Sequence, residues 1–113
     1  MLFRSIHDAI EQASKTADVI LVDCLTLWTS NLLLADYDEA KILEAVGRLI
    51  GALETCPCPV FLVSNEVGCG IVPENRLARL YRDMVGKMNQ TVAAAADKVI
   101  WTAAGIPVTI KGT

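Results

Sequence analysis

The sequence predicts an α/β protein with a mainly parallel sheet and an antiparallel hairpin at its carboxyl end. Three observations carry that expectation: helical and strand patterns alternate, two short apolar runs each close on polar residues, and the last segment doubles back around Ala104 and Gly105.

In "RSIHDAIEQAS" the residues Ile6, Ile10 and Ala13 line one side of a predicted helix, with polar residues on the other. "DVILVD" is then a continuous apolar run closed by Asp23, which predicts a strand buried on both faces. In "DEAKILEAVGRLIGALE", Ile42, Val46, Leu49, Ile50 and Leu53 recur at helical spacing, Asp38 suits the N-cap and Glu39 the first turn. Gly47 and Gly51, four apart, are expected to allow close helix contact.

After Pro57 and Pro59 comes "VFLVSN", a second apolar run with polar residues at its carboxyl end. Pro73 and Glu74 suit the first turn of a long helix, because proline lacks the donor that turn leaves unpaired and an acid favours the positive dipole end. Leu77, Leu80, Tyr81, Met84, Val85, Met88 and Val92 keep the helical period, which extends the helix to about Asp97. "KVIWTAAGIPVTIK" reads as two strands of a hairpin.

With 113 residues, 53% of them hydrophobic, the chain is expected to form one domain over 1–113 with a real core. A net charge of -3 argues against a general nucleic-acid or membrane-surface binder, so any cationic site is local. No run approaches the roughly 18 to 20 apolar residues of a membrane span, and the N-terminus lacks a secretory core. A soluble cytoplasmic protein is the expectation. The four cysteines, Cys24, Cys56, Cys58 and Cys69, make no paired C-x-x-C pattern, so idle thiols are expected rather than a structural metal site.

In open α/β sheets ligands collect beyond the carboxyl ends of the strands, where Asp23, Asn65 and Glu66 fall. "VILVD" has the form of a Walker B element, whose carboxylate holds Mg²⁺ near nucleotide phosphates; the plainer alternative is an aspartate that caps the next turn. Thr26, Thr29, Ser30 and Asn31 in "CLTLWTSN" supply either ligand contacts or local turns. Asn65 and Glu66 before Gly68 offer an amide and a carboxylate with little crowding, for a ribose, a metal-bound water or a base edge, unless the glycine only serves a turn.

Arg76, Arg79 and Arg82 are three apart, so on a helix they fan over part of its circumference away from the apolar stripe. They either hold phosphates or form a solvated face in which Arg79 meets Asp83. His7, the only histidine, reads as a helix-surface residue, and Trp28 and Trp101 as packing groups.

The stretches "LVDCLTLWTSNLL", "VSNEVGCGIVPENRLARLYRDMVGKMNQTVAAAADKV" and "AAGIPVTIK" closely resemble the carboxyl-terminal two-thirds of the bifunctional adenosylcobinamide kinase/adenosylcobinamide-phosphate guanylyltransferase family of cobalamin biosynthesis. The likeness runs in order over nearly the whole chain. It implies part of a RecA-like P-loop fold, an assembly as homotrimers, and adenosylcobinamide with GTP or ATP and Mg²⁺ as substrates and cofactor. By the same resemblance Asp23 takes the metal-binding acidic position. Asn65, Glu66, Gly68, Pro73, Asn75 and Arg76 fall in the signature loop near nucleotide or corrinoid, and Arg79, Arg82, Asp83 and Asn89 on the signature helix.

One departure matters. The family's P-loop precedes the matching region, and no G-x-x-x-x-G-K-[ST] occurs in this sequence; nor does His7 match the family's guanylylated histidine. Without backbone amides and a lysine to cradle phosphates, the chain alone is expected to have neither activity. It then represents a truncated enzyme, one half of a split gene or a shortened paralogue, completed by an upstream P-loop segment or, in a different class, a non-catalytic corrinoid- or nucleotide-binding or assembly module. A fragment of this kind should leave apolar sheet surface uncovered and self-associate or pair with its complement.

Overall fold

A computed structural model describes residues 5–67 and 74–113. The elements run α1 (Ile6–Ala13), β1 (Ile20–Asp23), α2 (Leu25–Leu34), α3 (Glu39–Thr55), β2 (Val60–Val63), α4 (Arg76–Ala95), β3 (Val99–Ala103) and β4 (Ile106–Lys111). The architecture is α/β, as the alternation of patterns predicts. The strands, however, form two separate pairs among the described residues: β1 with β2 in parallel, and β3 with β4 antiparallel.

The helices take one face of the β1–β2 pair and build the core there. Ile6 and Ile10 of α1, Leu25, Trp28 and Leu32 of α2, Ile42, Val46 and Leu49 of α3, and Met84, Val85, Met88 and Val92 of α4 are all buried in one cluster with Ile20. The amphipathic helices do as their spacing predicts. Asp38 caps α3, its carboxylate accepting from the Lys41 N–H at 2.9 Å.

Several expectations fail for identifiable reasons. The run "DVILVD" is not buried on both faces: Ile20 is 9% exposed but Leu21, one residue on, is 67% exposed, and its partner in register Phe61 is 61% exposed. Successive strand residues face opposite ways, and no element packs on the second face among the described residues. Leu25–Leu34 is a helix rather than a loop of turns. In its sequence "LTLWTSNLLL" the polar and apolar residues are not segregated to opposite sides, so it carries no one-sided stripe to betray it.

The last long helix begins at Arg76 rather than at Pro73, which lies outside the described residues along with Gly68. Leu77 and Leu80, expected in the apolar stripe, are exposed, because the first turns of α4 run beyond the cluster that buries Met84 to Val92. Gly47 and Gly51 make no close helix contact: both are exposed, and a Cβ at either would meet nothing within 4 Å. Trp28 packs in the core at 2% exposure, but Trp101 is exposed on the hairpin.

The hairpin turns through Ala104 and Gly105 with positive φ at both, 54° and 76°, which is the twist a two-residue connection demands. Every residue of β4 is exposed. Its tether to the helical layer is Lys111, whose Nζ donates to the Ala93 and Ala94 carbonyls at 2.9 and 2.8 Å, where helix carbonyls lack partners. Among the described residues no helix is long and apolar enough to cross a membrane.

Candidate functional site at the strand ends

Parallel pairing with Asp23 opposite Val63 brings the carboxyl ends of β1 and β2 to the same end of the sheet. The two strands continue differently. After Asp23 the chain turns into α2, with the Cys24 Sγ accepting from the Leu27 N–H at 3.4 Å as an N-cap. After Val63 it continues without regular secondary structure through Ser64, Asn65, Glu66 and Val67.

Side chains from three elements lock this junction. The buried Thr26 hydroxyl accepts the Asn65 N–H at 2.7 Å and lies 3.2 Å from the Ser64 hydroxyl. Ser64 in turn donates to the Asn89 Oδ1 at 2.5 Å, and the Asn89 Nδ2 donates to the Asn65 carbonyl at 3.0 Å. The network ties the start of α2, the end of β2 and the middle of α4 into one unit. It fixes the backbone from which the Glu66 side chain projects.

Sequence-predicted residues therefore separate by role. Asn89 and the Asn65 backbone belong to the lock. Asn75 caps α4, its Oδ1 accepting from the Leu77 and Ala78 N–H groups at 2.8 and 3.2 Å. Arg82 donates from Nε to the Val67 carbonyl at 2.9 Å and so holds the segment after Glu66. Arg79 donates to the Glu74 carbonyl, and Arg76 is exposed at the first turn. Thr26 is one of several hydroxyls in its stretch, and Ser64 carries no local signal at all: their roles depend on contacts with residues far away in the chain.

Glu66, Arg82, Asp83 and Asn89 do converge. With Val67, Gly86, Lys87 and Gln90 they line a groove of about 480 Å³ between the end of β2 and one side of α4, where cations and carboxylates alternate. Asp23 is exposed on a different, more apolar cleft of about 290 Å³, lined by Ile6, Ile10, Leu27, Trp28 and Asn31 among others. The phenol of Tyr81 on α4 is pushed above its ordinary value of 10.0, first by burial and then by the charge of nearby Cys24.

Asp23 offers one carboxylate, and no group of three or more metal-ligating side chains occurs among the described residues. That donor set fits Mg²⁺, which takes one or two protein carboxylates and completes its shell with water and substrate phosphates. It does not fit a structural zinc.

The scaffold is α/β, and charged groups gather beyond the ends of its parallel strand pair, the place where ligands collect in open α/β sheets. Residues 3–110 match the profile of the cobinamide kinase / cobinamide phosphate guanyltransferase family, and the chain belongs to that family. It is 48% identical over 106 residues to the bifunctional adenosylcobalamin biosynthesis protein CobU of Salmonella typhimurium, covering 83% of this chain and 59% of the relative. It is 44% identical to the protein of the same name from Escherichia coli, with the same coverage. The CobP protein of Pseudomonas aeruginosa is 43% identical over 93 residues, 82% of this chain and 53% of the relative. The chain thus spans little more than half the length of these relatives.

Proposed function

We propose that this chain carries the strand-end part of a cobinamide kinase/guanylyltransferase site and turns over only when a phosphate-binding loop is supplied by a further segment. The observation that carries the reading is the lock between Thr26, Ser64, Asn65 and Asn89, which holds Glu66 and the arginine-bearing helix α4 at the same sheet end as Asp23. A rigid frame of this kind is what positioning of substrate requires.

In this reading the substrates are adenosylcobinamide and GTP or ATP, and the scaffold is the partial RecA-like P-loop fold of a cytoplasmic homotrimer. Asp23 holds Mg²⁺, which when bound neutralises phosphate charge. Glu66 accepts hydrogen bonds from a ribose, a base edge or a metal-bound water. Asp83 and Arg82 line the same groove, and Arg82 also holds the strand-end segment through the Val67 carbonyl. Arg76 and Arg79 are exposed at the start of α4, where a guanidinium fork suits phosphate oxygens. Gly68 and Pro73, outside the described residues, fall in the sequence signature that the resemblance puts near nucleotide or corrinoid. Asn65, Asn75 and Asn89 act by positioning, since the hydrogen bonds they make hold the protein's own backbone and side chains.

A second reading, a non-catalytic corrinoid- or nucleotide-binding or assembly module, is favoured by one fact: no G-x-x-x-x-G-K-[ST] occurs in the sequence. The test is reconstitution. The chain is combined with the portion of the Salmonella relative that it does not match, and Mg²⁺-dependent transfer from GTP to adenosylcobinamide is followed. Asp23→Asn should abolish that turnover, and an unchanged rate would remove Asp23 from the metal site. Corrinoid binding without turnover in any combination would favour the module.

A further inference from the structure

Outside the strand-end site, one cluster of reactive side chains has no role in the proposed function. Cys56 ends α3 and Cys58 follows Pro57 in the short connection to β2; both thiols are half-buried against the core. Cys56 is extended, with φ −72° and ψ 124°, the conformation a following proline imposes. The chain then bends at Pro57 and Cys58. Across this bend the two Sγ atoms lie 3.5 Å apart, one thiol hydrogen-bonded to the other. In sequence the two cysteines make only an incomplete metal motif; the facing sulfurs are a product of the folded connection.

We propose that Cys56 and Cys58 are a redox-active dithiol that closes to an intramolecular disulfide by exchange with a small-molecule disulfide such as oxidised glutathione. Partial burial, together with the hydrogen bond and charge of Cys56, pushes the Cys58 thiol up. The Cys56 thiolate displaces one glutathione thiolate, which takes up a proton, and a mixed disulfide forms. Cys58 then loses its proton and attacks the Cys56 sulfur, closing the Sγ–Sγ bond and releasing the second glutathione as thiol. Two electrons and two protons pass from the protein pair to one oxidised glutathione. The pair precedes β2, at the opposite end of that strand from Ser64–Glu66, so exchange leaves the strand-end groups untouched.

Oxidised glutathione is added to the folded chain carrying Cys24→Ser and Cys69→Ser, and the products are mapped by mass spectrometry of the peptide that contains Pro57. The expected product has lost two hydrogens and carries no glutathione. A stable glutathione adduct on either cysteine of that protein, or no reaction, would overturn the proposal. Adding Cys58→Ser should instead trap the adduct on Cys56, and its absence there would count against Cys56 as the attacking thiol. Ring closure should also be faster in the native chain than in the urea-unfolded chain at the same pH. Equal rates would mean that the folded geometry contributes nothing, which contradicts the inference.

Discussion

The two faces of the β1–β2 pair carry the same kinds of residue and meet different fates. Ile20 is 9% exposed beneath the helices, while Leu21 and Phe61, side by side on the other face, are 67% and 61% exposed. Nothing in the side chains distinguishes the faces, since Ile, Leu, Val and Phe suit burial equally. What differs is the presence of a neighbour. The helix-covered face leads to the locked strand-end junction, and the open face, like the apolar hairpin, is exposed among the described residues.

That contrast can be broken experimentally, most strongly in the core. Leu49→Ala or Met88→Ala removes a side chain that is 0% exposed, and each should cost about 2–5 kcal/mol in denaturant unfolding. A cost near zero would mean that the helical layer is not the stabilising one.

Thr26→Val comes next. It keeps the shape but removes the oxygen that accepts the Asn65 N–H, so a loss of about 1 kcal/mol is expected, with Thr26→Ser recovering most of it. If valine and serine behave alike, the hydroxyl is not what joins α2 to β2.

On the open face the expected effect is smaller and of a different kind. Leu21→Lys with Phe61→Lys should change unfolding stability by less than about 1 kcal/mol, because surface substitutions stay within about 0.5 kcal/mol each. The monomer fraction in sedimentation should rise as the apolar patch is broken up. A loss as large as that of Leu49→Ala would show that this face is buried in solution.

The smallest effect belongs to the ion pair between Lys87 and Glu39, which links α4 to α3 with both side chains about half exposed. Lys87→Ala should cost no more than about 1 kcal/mol, and the difference should shrink as salt is raised.

Much of this is legible in the sequence, for physical reasons that also mark its limits. Helices α1 and α3 and the buried half of α4 are one-sided, and one-sidedness is what a linear pattern records. Helix α2 mixes Thr26, Thr29, Ser30 and Asn31 among its apolar residues without a one-sided stripe, and so reads as turns or ligand contacts. Asp23 and Glu66 stand out because strand ends are local features. Asn75 is visible as a residue type but not as a cap, since a capping asparagine and a ligand-binding one look alike in sequence. The pairing of Asn89 with Ser64 and Asn65 spans more than twenty positions, and no local period encodes it. Uncovered strand faces are the clearest case, because burial depends on a neighbour that the apolar run itself does not specify.

The most direct measurement is GTP- and Mg²⁺-dependent turnover of adenosylcobinamide by this chain alone, beside the same chain mixed with the portion of the Salmonella relative that it does not match. No turnover alone and turnover on mixing is the predicted result, with the strand-end site supplied here and the phosphate-binding loop supplied by the partner. Turnover by the chain alone would contradict the account.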